Sequence, residues 1–130
     1  AITSLSPGQI ASHTIFQMTD LIVQKKRQEA LQVLHLLLTA GEPPMRILPL
    51  IERQLRLVLA AKTSETRPEE TARQMGESSA YALKKIQPYT KNFSLGEIFA
   101  GFDAVVKADR EMKLGTPGDQ VLAELIIKLT

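Results

Sequence analysis

The sequence predicts an all-α protein, a helical bundle of about six to seven helices, and three observations carry that prediction. Apolar residues recur three and four positions apart over most of the chain, as in Leu31, Leu34 and Leu38 and again in Leu48, Ile51, Leu55 and Val58. The composition is 44% hydrophobic but only 5% aromatic, with no Trp, so the core must be built from aliphatic side chains of good helix formers. Strand-like alternation is absent. At 130 residues the chain is long enough for one domain with a real core and too short for two ordinary ones, so residues 1–130 read as a single domain.

The stretch from Ile15 to Lys62 organises the rest. It reads as three successive helices, the last two forming an antiparallel hairpin with broad apolar stripes. Before it, residues 1–11 carry Ser4, Ser6, Pro7 and Gly8 without a sustained period and read as a loop or docked terminal segment, with Ser12 as the first N-cap. Ile15, Met18 and Ile22 then share one helix face. The run Lys25, Lys26, Arg27 reads as a solvated corner, with phosphate contact as the alternative. Gly41 ends the first arm of the hairpin, and Pro43 and Pro44 block its continuation while suiting the next start. Pro49 removes a backbone donor one turn further on, so that turn is either kinked or precedes the regular helix.

Residues 12–62 thus form the first half. Residues 63–70 form a polar loop in which Pro68 opens a short helix, and residues 71–130 form the second half. The short helix stops at Gly76. The chain restarts at Ser78 or Ser79, with Leu83 and Ile86 inward and Lys84 and Lys85 outward, until Pro88 ends or bends it. Ser94-Leu95-Gly96-Glu97 is a capping box, flanked by Phe93 and Ile98 at the staple positions. Ile98, Phe102, Val105 and Met112 point inward along the helix that follows, and Asp109 and Lys113 form an acid-to-base pair four residues apart. Gly115 ends it, and Thr116-Pro117-Gly118-Asp119 opens the last helix with a cap, a first-turn proline and an early carboxylate.

Sixteen basic and fourteen acidic side chains leave a net charge of +2 and a pI near 9.0, which permits contact with nucleic acid without demanding it. The absence of cysteine removes disulfides, thiolate metal sites and Cys nucleophiles, and suits the cytoplasm. No apolar run is long enough to span a membrane, and no signal peptide is recognisable. No phosphate-binding glycine loop occurs, and His13 and His35 lack a partner pattern for catalysis or metal. The expectation is therefore a non-catalytic chain without cofactor, metal or small-molecule ligand. The segment TARQMGESSAYALKKI, Thr71 to Ile86, imitates a helix-turn-helix, with Ala72 and Gly76 at the tight-turn spacing. Its second helix offers Glu77, Ser78, Ser79 and Ala80 where base-reading Arg, Asn or Gln would be expected, so a stand-alone DNA-binding module is the weaker alternative.

The order of features from ALQVLHLLLTAGEPPMRIL through ERQLRLVL at Glu52 to Leu59, then ARQMG, ALKK, NFSLGE and ADREMKLG, resembles the C-terminal region of the delta subunit of bacterial DNA polymerase III. The resemblance covers most of the chain. It implies the helical collar, or oligomerisation, domain of a clamp-loader subunit, whose ATPase-like N-terminal domains are not in this chain. It further implies other clamp-loader subunits as partners, primer-template DNA in the assembled complex and a bacterial cytoplasmic setting. Arg53 and Arg56, on the polar margin of the central helix, are the expected subunit contacts. Lys84, Lys85 and Lys91 are the expected contacts to DNA backbone, while Ser94, Glu97, Asp109 and Lys113 are structural. Pro49, Pro88 and the turn at Thr116 to Asp119 depart from that family's usual helix formers.

Overall fold

A computed structural model describes residues 6–130, and among these every regular element is helical. Seven α-helices follow one another: α1 (Pro7–Val23), α2 (Arg27–Thr39), α3 (Pro44–Thr63), α4 (Pro68–Met75), α5 (Tyr81–Ile86), α6 (Leu95–Lys113) and α7 (Gly118–Leu129), with a 3-10 segment, Gln87–Asn92, between α5 and α6.

The first helix starts earlier than the sequence reading placed it. Ser6, not Ser12, is the N-cap: its hydroxyl accepts from the Gln9 amide at 3.2 Å, and the Gln9 side chain returns the bond to the Ser6 amide at 2.8 Å. With Pro7 at the first helical position, Ser6-Pro7-Gly8-Gln9 is a second capping box hidden in a stretch rich in breakers. The rest of the expected lead, residues 1–5, lies outside the described residues. Other boundaries move less. Thr63 still belongs to α3, α5 begins at Tyr81 rather than at Ser78 or Ser79, and Pro117 rather than Thr116 occupies the cap of α7, with no side-chain hydrogen bond there. The Thr116 amide instead donates to the Glu111 carbonyl, closing the end of α6.

Helix α3 is the axis of the molecule. Ile47, Leu48, Ile51 and Leu55 belong to one core with residues of α1, α2, α6 and α7. Leu57 and Val58, one turn further, belong to a second core with Val23, Ala72, Leu83, Ile86, Phe93 and Ile98. Phe102 packs against both. Each fully buried aliphatic side chain here contributes about 1.5–3 kcal/mol by transfer from water. Regular helix runs from Pro44 through Pro49, so the helix does not begin beyond that proline. Pro49 lies on the exposed side, where water can reach the carbonyl that its missing N–H leaves unpaired.

The expected hairpin of α2 and α3 is also corrected. Their side chains share the first core, but the close backbone partner of α2 is α1, followed by α7, whereas α3 lies against α6, α5, α1 and the 3-10 segment. Helix α1, ahead of the Lys25 corner, therefore forms the hairpin with α2. Gly41, in the left-handed region at φ 90°, still reverses the chain after α2, but it sends α3 across the bundle.

The basic corner is not simply solvated. Lys25 adopts a left-handed backbone (φ 62°), and its Nζ donates to the Leu129 carbonyl at 2.9 Å while lying 4.0 Å from the Phe93 ring centre and 3.7 Å from Glu97. Arg27 donates to the Ile127 carbonyl and the Thr130 hydroxyl, both at 3.1 Å. Two cations thus meet the free carbonyls at the end of α7, where the helix dipole favours positive charge.

Around α6 the local chemistry follows the expected pattern. The Ser94 hydroxyl accepts from the Glu97 amide at 3.1 Å, and Glu97 accepts from the Ser94 amide at 3.0 Å. Phe93 and Ile98 are both buried beside this cap. Asp109 and Lys113 pair at 2.9 Å on the outer surface.

Candidate subunit-contact surface

Arg53 leaves α3 half-buried and forms a two-pronged pair with Glu77, Nη2 to Oε1 at 2.5 Å and Nε to Oε2 at 3.2 Å. The planar fork of a guanidinium matches a carboxylate in this way, and here it ties α3 to the turn between α4 and α5. The same guanidinium stands 5.7 Å from the Phe16 ring centre. Lys85 of α5 bonds Asp20 of α1, and that hydrogen bond raises the Lys85 pKa above the usual lysine range. These pairs border a groove of about 630 Å³ whose walls include Phe16, Gln17, Gln54 and Tyr81. Gln54 is buried, and its amide donates to the Thr19 carbonyl at 3.1 Å, joining α3 to α1. Sequence periodicity placed no polar residue in this core, and a glutamine inside an apolar stripe was the only available signal.

Lys84 meets Glu69 at 2.8 Å, and its hydrogen bond is the main cause holding the Glu69 carboxyl below the usual range. Lys91 is exposed and has no ion-pair partner among the described residues. The three lysines offered to DNA are therefore unequal: two are engaged by carboxylates of this chain, and α5, which carries both, is only six residues long. Arg56 is exposed on α3 and pairs with Glu52 at 3.5 Å. The structure separates the two arginines by role, with Arg53 turned toward the chain's own Glu77 and Arg56 on the open face.

Sequence reasoning overlooked one surface. On α6, Leu95, Phe99 and Val106 are 44%, 54% and 67% exposed, and Phe102 between them is half-buried. Positions 95, 99, 102 and 106 have the same three-and-four spacing as the inward set, so this second stripe was visible in the sequence, but only Phe102 of it was read, and as inward. Among the described residues no helix is long and apolar enough to cross a membrane, and no group of three or more His, Asp or Glu side chains converges on a common point.

These features define a class: an all-α bundle with two cores joined by one central helix, most of its charges paired within the chain and an apolar stripe turned outward. Residues 12–129 match the family described as DNA polymerase III delta subunit, C-terminal domain, and the chain belongs to that family. It is 30% identical over 121 residues to the DNA polymerase III subunit delta of Bacillus subtilis (strain 168), an alignment covering 87% of this chain and 33% of the relative. Its fold is similar to that of the Bacillus subtilis DNA clamp loader delta protein, with a TM-score of 0.77 and 27% identity over 93% of this chain and 37% of the other. The chain thus spans about a third of the length of these relatives.

Proposed function

We propose that this chain is the helical packing domain of a clamp-loader delta subunit, holding that subunit among its neighbours in the assembly that places a sliding clamp on primed DNA. The observation that carries this reading is the family match across residues 12–129, together with the fold shared with a clamp loader delta protein. The domain works by surface complementarity and is non-catalytic. Its partners are the helical domains of other loader subunits, in the cytoplasm of a bacterium. The pairing pattern supports packing over DNA reading, since Lys84 and Lys85 are held by Glu69 and Asp20. Within the assembly Arg56 lies at the subunit margin. Arg53 shapes that margin through Glu77, and Lys91 is the lysine best placed for phosphate.

The test is association of the intact subunit with the remaining loader subunits, followed by gel filtration, beside duplex-DNA binding by the 130-residue chain across a salt series. A stable complex and negligible binding of the isolated chain to DNA are expected. Duplex binding at about micromolar affinity that falls steeply with salt, without any association with loader subunits, would overturn the reading in favour of a stand-alone DNA-binding module.

A further inference from the structure

Residues 64–79, comprising the loop after α3, helix α4 and the turn beyond it, are attached to the bundle mainly by charge. Among the described residues, and apart from bonds at the junctions with α3 and α5, each hydrogen bond or ion pair leaving this segment ends on Glu69 or Glu77. Glu69, in the first turn of α4, meets Lys84 of α5 at 2.8 Å. Glu77, just past the other end, holds Arg53 of α3 in the two-pronged pair. Eight residues of helix span about 12 Å, so α4 is fastened once at either end. Its remaining polar contacts are internal: the Ser64, Thr66 and Thr71 hydroxyls bond one another, and Glu70 receives Arg73 and Gln74.

Burial holds this segment only weakly. The one buried apolar side chain of α4 is the Ala72 methyl, with Met75 partly covered, whereas α3 contributes Leu57 and Val58 to the same core. The main backbone neighbour of α4 is the six-residue α5. Both fastenings are within reach of dissolved ions: Lys84 and Glu69 are 59% and 56% exposed, and Arg53 and Glu77 27% and 20%. Elsewhere Lys25, Arg27, Gln54 and Asn92 join distant segments by donating to backbone carbonyls, bonds that salt weakens less than a pair of charged side chains. A segment with little buried apolar surface opens at a lower free energy than the whole domain unfolds.

We propose that residues 64–79 form a strap that swings away from α3 and α5 as a unit while the rest of the bundle stays folded, and that Glu69 and Glu77 both fasten it and mask Lys84 and Arg53. Closed, the strap neutralises the two cations. Open, it releases them together and uncovers the edge of the second core against which Ala72 and Met75 pack. It is an autoinhibitory contact governed by ionic strength, and it does not depend on the packing function proposed above.

Hydrogen exchange of the intact subunit, read peptide by peptide by mass spectrometry across sub-denaturing urea, tests the strap. Amides of residues 68–77 should exchange with a shallow urea dependence, and those of residues 51–58 with the steep dependence of global unfolding. Raising NaCl from about 0.05 to 0.5 M should speed strap exchange about threefold, and Glu77→Gln about tenfold, the loss expected for one charge-assisted pair. Lys113→Gln, which breaks the Asp109–Lys113 pair of α6, should leave strap exchange unchanged. Masking is read with phenylglyoxal, which modifies free guanidinium groups. Labelling of Arg53 should rise with salt in step with strap exchange, while Arg56, exposed on the same helix, labels readily at every salt concentration. Equal rates and urea slopes for the strap and α3 would overturn the proposal, because the segment then opens only with the whole domain. Local opening that ignores both salt and Glu77→Gln, or Arg53 labelling that does not follow it, would overturn the fastening by charge. The urea and salt series on the wild-type subunit decide between these outcomes even where a variant fails to fold.

Discussion

Lys25→Gly separates a functional latch from an ordinary surface turn by the sign of its effect. Lys25 holds a left-handed backbone conformation that costs a non-glycine residue about 1 kcal/mol, so glycine at an inconsequential turn would stabilise the protein by that amount. Against this stand the charged hydrogen bond to the Leu129 carbonyl at 2.9 Å and the ammonium 4.0 Å from the Phe93 ring centre. A hydrogen bond to a charged group contributes about 1.5–3 kcal/mol, and a partly exposed cation over an aromatic ring about 0.5–1. The side chain is 27% exposed, so the lower ends apply, and its pairing with the exposed Glu97 adds little. The losses, about 2 kcal/mol, exceed the gain, and Lys25→Gly should destabilise by about 1 kcal/mol. For a chain of 130 residues that lowers the thermal midpoint by about 4 °C, read by far-UV circular dichroism. Lys25→Met, which loses both interactions and gains no relief of the left-handed backbone, should destabilise at least as much. An unchanged or raised midpoint for Lys25→Gly would refute the account of the corner as the cap of α7.

Two further substitutions test the packing and the caps. Gly118→Ala should destabilise by about 1–3 kcal/mol in urea unfolding even though alanine favours helix, because the added methyl would lie 2.5 Å from Cγ and 2.6 Å from Cβ of the rigid Pro44 ring. Ser94→Ala should remove about 1 kcal/mol by loss of the N-cap of α6. Hydrogen bonds from the Ser94 amide and hydroxyl, reinforced by Lys25, hold the Glu97 carboxyl below its ordinary pKa in the folded chain. Its contribution is therefore complete above the unfolded-state value and disappears as pH falls through the lower folded-state value. Thermal midpoints of wild type and Glu97→Gln should differ near neutrality and converge on acidification; a difference that widens in acid contradicts the cap.

Much of this protein was legible before its tertiary structure because its signals are local. Ser94 and Glu97 satisfy each other's backbone within one turn, and Gly41, Gly76 and Gly115 end helices by adopting a conformation others avoid. Leu83, Ile86, Ile98 and Val105 are buried, as their spacing required. The start of α1 was misplaced for an equally local reason: Ser6 and Gln9 form a capping box, but Pro7 and Gly8 between them read as breakers.

What the sequence alone determined is that the chain is helical, where most helices begin and end, which residues face inward, and, through the order of its motifs, the family. Periodicity records that a stripe must be covered; it carries no information about which stripe covers it. Only the tertiary structure decided that α2 pairs with α1 rather than α3, and that Arg53 turns to Glu77 and Lys85 to Asp20. The same holds for Lys25, which reaches Leu129 across 104 positions of chain. It also decided that one of the two apolar stripes of α6 stays outside. Those partners are chosen by packing between segments far apart in the chain, where shape and the pairing of buried charge select among patterns that look equivalent in one dimension.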